Sequence, residues 1–457
     1  MKTHKNRQFK TALKSLNLAL GIALCCSSMA VIASENVPSP AQQRPILFKG
    51  ATLHTVSHQT LVNTSLLIDK GRIVSIGSDA PVPENVQVIE LAGKHIYPGF
   101  IAANTVLGLS EVQSVRATLD VAEAGAINPN ARAIVAINPD SELITTARSN
   151  GVLVALSVPA AGQVGIIAGT SALVQMDGWT WEDMAVQAEV GLHIYLPFMR
   201  FNPELFPAPM EARLEELKKS TAQRLKTLEE AFEMAIAYRD ARTNNAALPI
   251  DVRWEAMLPV LAGKRAVFMH AQDVAQIRYA LQLAQRFQLK MILVGGADGA
   301  LMANVLKDRG VPVIIAGVHK LPVRRGADYD SVYTLAAKLA QAGVQFCIAR
   351  GGSEDDAPNE RNLPYEAAVA TAFGLDHDEA LKAITLYPAK ILGVEDRLGS
   401  LDVGKFANLL VTNGDPLETT TKLEQVYIQG RLIDTTTKQS RLTDKYRQKY
   451  LQKSATK

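Results

Sequence analysis

The sequence predicts an α/β protein, a (β/α)8 TIM-type barrel joined to a small composite β-sandwich domain that both chain ends build. Three observations predict it. The middle of the chain alternates apolar strands with helical patterns, and the two ends share a texture of short strands broken by turns. The alternating part runs for about 300 residues, a length that favours a closed barrel over an open sheet.

The middle is read element by element. Ala266-Val267-Phe268-Met269 is an apolar strand, and Asp273 to Phe287 follows as a helix with Ile277, Ala280, Leu281 and Ala284 on one face. Met291 to Val294 is the next strand, then helix Leu301 to Lys307. Val313 to Ile315 precedes helix Val332 to Leu339, and Phe346 to Ile348 precedes helix Tyr365 to Phe373. Strict alternation of buried strands and helices means a parallel sheet. A long helix from Met210 to Tyr238 carries Leu214, Leu217, Leu225, Leu228, Phe232 and Ile236 at helical spacing, a stripe that faces the core or a second copy. Gly162, Gly165 and Gly169 lack the nucleotide-loop spacing and read as barrel turns.

The ends differ in texture. Ile46 to Phe48, Leu66 to Ile68, Arg72 to Ile76 and Val86 to Ile89 are brief strands, punctuated by Asp69-Lys70-Gly71 and Gly77-Ser78-Asp79. Asn408 to Val411, Gln425 to Ile428 and Gly430 to Ile433 repeat the pattern. The expected organisation is therefore residues 46–97 and 398–440 as one composite domain, 98–397 as the barrel and 441–457 as a polar tail.

The first residues carry Lys2, Lys5, Arg7, Lys10 and Lys14, then an apolar run from Leu16 to Cys26, then small residues. This is the pattern of a secretory signal peptide over residues 1–33, with cleavage after Ala30 or Ala33, and residues 34–45 follow as a linker. The apolar run is shorter than the roughly 20 residues a membrane span needs, which weighs against a retained anchor. The expected location is periplasmic or secreted. Of three cysteines only Cys347 lies outside this leader, so no internal disulfide is expected. A mature chain of about 420 residues is long enough to rely on its core. The whole chain is 47% hydrophobic with a net charge of +3, part of it in the leader. That balance gives no electrostatic footprint for nucleic acid or a membrane surface.

Gly93-Lys94-His95-Ile96-Tyr97-Pro98-Gly99-Phe100-Ile101 resembles the entry to the barrel in amidohydrolase-superfamily metal hydrolases, close to the imidazolonepropionase-like branch. Pro388-Ala389, Leu392-Gly393, Leu398-Gly399-Ser400-Leu401, Gly404-Lys405 and Gly414-Asp415-Pro416-Leu417 resemble that family's return to the composite domain. The resemblance implies hydrolysis of a non-peptide C–N bond in a small amide or cyclic amide. It also implies a divalent metal, zinc or manganese, that lowers the pKa of a bound water. The family's first ligands are a His-x-His at the end of the first barrel strand, two residues apart so that both face one side. Here Asn104 and Val106 stand at those positions. His270 matches the third histidine and is the one expected metal ligand. Val294-Gly295-Gly296 lacks the fourth, and Arg350 follows the last strand where an aspartate is usual.

The carboxylates come late, in Glu354 and Asp355, which the resemblance makes candidates for the catalytic base. Asn104, Arg116, His319 and Arg350 are candidate substrate contacts, with Asp120 and Glu123 in the same loop as Arg116. His54, His58, His95, His193 and His377 show no partner pattern and read as structural or surface residues. The rival reading is a catalytically silent barrel that binds a ligand or pairs with an intact paralogue. The expected partners are a small molecule and a second subunit, either identical or paralogous.

Overall fold

The structure is a computed structural model that describes residues 37–77, 82–200 and 211–455. The expected signal peptide, residues 1–33, lies outside the described residues.

The chain begins with β1 (Ile46–Leu53), β2 (Leu61–Asp69), β3 (Arg72–Ile76), β4 (Gln87–Glu90) and β5 (His95–Pro98). Lys70 and Gly71 join β2 to β3 with φ of 49° and 77°, the left-handed pair that a two-residue hairpin turn requires. The barrel wall follows as β6 (Phe100–Thr105), β7 (Val152–Ser157), β8 (Ile167–Thr170), β9 (Ala172–Gln175), β10 (Ala185–Gln187), β11 (Gly191–Tyr195), β12 (Ala266–Ala271), β13 (Met291–Gly295), β14 (Val313–Ala316) and β15 (Phe346–Ala349). The chain returns through β16 (Leu409–Thr412), β17 (Leu423–Ile428) and β18 (Arg431–Leu432).

Two sheets make the wall, in the orders β10-β9-β7-β6 and β15-β14-β13-β12-β11-β8. From β11 to β15 the strands are parallel and consecutive, as the alternation predicts. The expectation of strict alternation fails earlier. β9 runs antiparallel to β7 and β8 antiparallel to β11. Val158 to Ile166 links β7 to β8, and only Ser171 separates β8 from β9, so one run of chain passes from one sheet to the other, antiparallel to β11 in the first and to β7 in the second. Within the first link Gly165 N–H donates to the Ala161 carbonyl at 2.8 Å, closing a turn. β6 lies beside β15 at the other seam, where Asn104 Nδ2 donates to the Arg350 carbonyl at 3.1 Å.

The strands of both ends form one sheet, ordered β18-β17-β16-β5-β1-β2-β3, with β4 on the edge of β1. It rolls back on itself: Ile73 N–H donates to Lys405 O at 2.9 Å and Ala407 N–H to Gly71 O at 2.8 Å. Phe48, Leu66, Ile68, Ile96, Leu409 and Tyr427 fill its interior.

The long helix spans Glu211–Asn244 and buries Leu214, Leu228 and Phe232, while Leu217 is exposed. The expected polar tail, residues 441–457, is helical and exposed over most of its length, within Lys438–Ala455. Among the described residues no helix is long and apolar enough to cross a membrane.

Asp177 ties barrel to composite sheet. Its carboxylate accepts from Arg148 at 3.0 Å, from Arg431 at 2.8 Å and from the Ser39 N–H at 3.3 Å. Burial raises its pKa from the ordinary value, and the two guanidiniums oppose that shift. Removing one member of a buried ion group leaves uncompensated charge and costs about 3–5 kcal/mol. Asp177→Ala is therefore expected to lose stability on that scale in urea denaturation; a variant as stable as the parent would refute the clamp.

Candidate functional site at the barrel mouth

Barrel sites sit where parallel strands end, so the first question is which side chains face the barrel axis there. A cavity of about 350 Å³ under the barrel is lined by Val190, Phe268, Ile292, Pro312 and Gln345, which stand at or near the starts of five successive strands. Only the axis touches so many strands at once, so the Phe268 face of β12 points inward. His270 lies two residues on and shares that face. Register brings the same face of β11 alongside, pairing His193 with Phe268 and Tyr195 with His270.

These four rings form one inward wall. His193 stacks on Phe268 with centroids 4.5 Å apart, and Tyr195 stacks on His270 at 3.8 Å. His193 Nδ1 and His270 Nε2 share a hydrogen bond of 2.9 Å. The Tyr195 hydroxyl donates to the Pro159 carbonyl at 3.1 Å. Burial lowers the pKa of His270 to about 3 and that of His193 well below its ordinary value, so both rings are neutral near pH 7. His193 read as structural or surface; the fold makes it the partner of His270. Nothing local in the sequence signals this, because the pairing depends on the β11–β12 register.

The other expected ligand positions are filled differently. Asn104 is 1% exposed and lies under the turn at Gly351 and Gly352. Gly352 has φ +74°, and a Cβ there would come within 2.3 Å of the Asn104 amide. Val106 is buried in the core. At Gly295 the Gln272 amide occupies the space of any side chain, 2.4 Å from an added Cβ. Arg350 pairs with Glu366 and, at 3.6 Å, with Asp356. Glu366 also accepts from the Val318 N–H at 2.6 Å and the His319 N–H at 3.0 Å, and it pairs with the His319 ring at 3.2 Å. The structure thus brings His319 and Arg350 together through Glu366, which sequence reasoning passed over as part of a helix.

Glu354 makes no hydrogen bond or ion pair among the described residues, and Asp355 accepts from Gln113. Neither makes a hydrogen bond or ion pair with His270. Arg116 turns back onto the Leu119 carbonyl at 2.7 Å. Among the described residues no three His, Cys, Asp or Glu side chains are grouped to hold a metal ion. The donor set therefore does not fit the divalent metal that the fold implies, since a firm site takes about four such donors.

A cavity of about 410 Å³ opens in the β6–β7 connection, lined by Asp120, Glu123, Asn128, Arg132 and Pro159 among others. Pro159 is the residue whose carbonyl receives Tyr195, so this cavity abuts the ring wall. Arg132 is engaged by Glu189 at 3.1 Å. Asp120 and Glu123 are exposed and make no ion pair among the described residues, so the sequence's loop candidates line a cavity of small-molecule size.

Glu360 lies just behind the mouth with no exposed surface, and neither carboxyl oxygen finds a hydrogen-bond partner. Burial raises its pKa from 4.5 to about 8; the nearby Thr105 hydroxyl and the Arg350 guanidinium oppose this without offsetting it. The folded chain holds this proton more tightly than the unfolded chain. The resulting penalty is absent below about pH 4.5, grows with pH and levels off above about 8. Glu360→Gln should abolish this loss of stability between pH 5 and pH 8, a gain of a few kcal/mol at the upper end. Parallel pH profiles for the two proteins would show that the carboxyl is already ionised.

Comparison with known proteins places the chain. The amidohydrolase family model matches residues 331–433. The amidohydrolase tasK of Hapsidospora irregularis is 23% identical over 397 residues, 80% of this chain and 39% of that protein. Imidazolonepropionase of Shewanella baltica strain OS185 is 41% identical over 70 residues, 15% of this chain and 17% of that enzyme. The chain thus spans well under two thirds of the curated relatives it matches. An amidohydrolase structure from Thermotoga maritima MSB8 superposes with a TM-score of 0.74 at 24% identity, over 85% of this chain and 99% of that one. Molinate hydrolase superposes with a TM-score of 0.53 at 17% identity, over 87% and 96% of the two chains. At these identities the structural likeness speaks for the fold.

Proposed function

Since this chain belongs to the amidohydrolase superfamily, we propose that it binds a small amide or cyclic amide at the barrel mouth, without the divalent metal common in that superfamily. One observation carries the proposal: His270, the one expected ligand position bearing an imidazole, is hydrogen-bonded to His193, and among the described residues no group of three His, Cys, Asp or Glu side chains forms around it. The neighbouring cavity supports it. Asp120 and Glu123 offer acceptors for amide N–H groups, and apolar residues such as Leu109, Val121 and Ala133 supply a dry floor. In this reading the chain is a ligand-binding barrel, and its partner is a second copy or a paralogue with an intact metal site.

The second reading is hydrolysis of the C–N bond in the same class of molecule. It rests on family membership and on the position of His270 at the end of β12. Elemental analysis separates the two. The purified protein, and the same protein carrying His270→Ala, are both expected to hold far less than one equivalent of zinc or manganese. Hydantoin and N-acetylglycinamide are expected to bind the parent in calorimetry and to be recovered uncleaved. Stoichiometric metal that disappears with His270→Ala, together with turnover of either amide, would establish the hydrolase instead.

Export belongs to the same proposal and is supported by the basic start, the short apolar run and the small residues after it. Terminal sequencing of protein recovered from the periplasm or medium should begin at Val31 or Ser34. A terminus at Met1 would refute it.

A further inference from the structure

The hydrogen bond between His193 and His270 has a direction, and that direction determines what the mouth can hold. Two neutral imidazoles sharing one hydrogen bond place a single proton between the facing nitrogens. If His193 Nδ1–H donates, His193 Nε2 is a bare lone pair and His270 carries its proton on Nδ1. If His270 Nε2–H donates, His193 Nε2 carries a proton and His270 Nδ1 is bare. The two cases differ at the far nitrogen of His193, which is sealed from solvent and has no partner. His193 is 0% exposed. A buried N–H without an acceptor is a rarer fault in folded proteins than an acceptor lacking a donor. The first arrangement is therefore favoured.

We infer that His193 is a positioning residue that holds His270 as the Nδ1–H tautomer, so that the barrel mouth presents a hydrogen-bond donor for the carbonyl or carboxylate oxygen of a bound molecule. The ligand half of this inference rests on the binding reading above. Among the described residues His270 Nδ1 has no hydrogen-bond partner, and His270 is half-buried where His193 is fully buried. The Tyr195 ring stacked on His270, itself tethered to Pro159, fixes the plane in which that N–H points. A ring that offers N–H at this atom offers no lone pair there to a metal. The orientation also gives the chain a chemical preference: an oxygen acceptor is welcomed at His270 and a cation is not.

The test uses the full mature protein with 15N-labelled histidine, observed by long-range 1H–15N correlation at pH 7. His270 is expected to show the Nδ1–H pattern, with resonances assigned by their loss in His270→Gln. Observation of the Nε2–H pattern would overturn the inference. In His193→Phe, which keeps an aromatic ring against Phe268, His270 is expected to lose its fixed tautomer; an unchanged pattern would remove the positioning role. Added hydantoin is expected to move the His270 Nδ1 proton downfield. Hydantoin that binds without moving it would overturn the inference while the binding reading stands. Failure of hydantoin to bind at all, with His270 still an Nδ1–H donor, would instead remove the binding reading and the ligand half with it.

Discussion

One buried carboxylate organises the lower half of the molecule. Asp177 follows β9 and receives Arg148 from the helix before β7, Arg431 from β18 and the N–H of Ser39. Those partners come from the barrel, from the returning chain and from the segment that precedes β1. A group of charges this dry contributes little net stability over apolar packing, but it permits few alternative arrangements. The order of the rolled sheet, with strands from both ends interleaved around β1 and β16, needs that kind of constraint. With the floor pinned, residues at the opposite mouth can change without endangering the fold.

At the mouth several polar groups are held by one another. Arg350 is neutralised by Glu366 and Asp356, and Glu366 in turn secures the turn at Val318 and His319. Gln272 fills the space above Gly295. Asn104 bridges the seam between β6 and β15. The rearrangement is incomplete: Asn104 Oδ1, Arg350 Nε, His193 Nε2 and both Glu360 carboxyl oxygens stay buried without a hydrogen-bond partner, so the mouth keeps polar groups that its own packing does not satisfy.

Much of this was legible before any coordinates. The apolar runs at Ala266, Met291, Val313 and Phe346 are long enough to announce buried parallel strands, and they became β12 to β15. The Asp69-Lys70-Gly71 turn is local chemistry and reads as such. Strand direction at β8 and β9 is not local. Of the three glycines read as barrel turns, Gly162 lies in a turn and Gly165 closes it, whereas Gly169 lies inside β8, whose direction is set by its pairing with β11. The site was legible as a deficit, since the missing histidines are visible one by one. Its replacement was not, because His193 meets His270 only through register and Glu366 meets Arg350 only through a helix packed behind β15.

The turn at Gly351 and Gly352 couples segments far apart in the chain. A Cβ on Gly352 would come within 2.3 Å of the Asn104 amide, and one on Gly351 would meet the Asp356 carboxylate. The two glycines therefore let the chain after β15 close over the end of β6 while Asp356 reaches Arg350. A side chain at either position would pry these segments apart, so the barrel seam depends as much on the atoms that are missing as on those that are present.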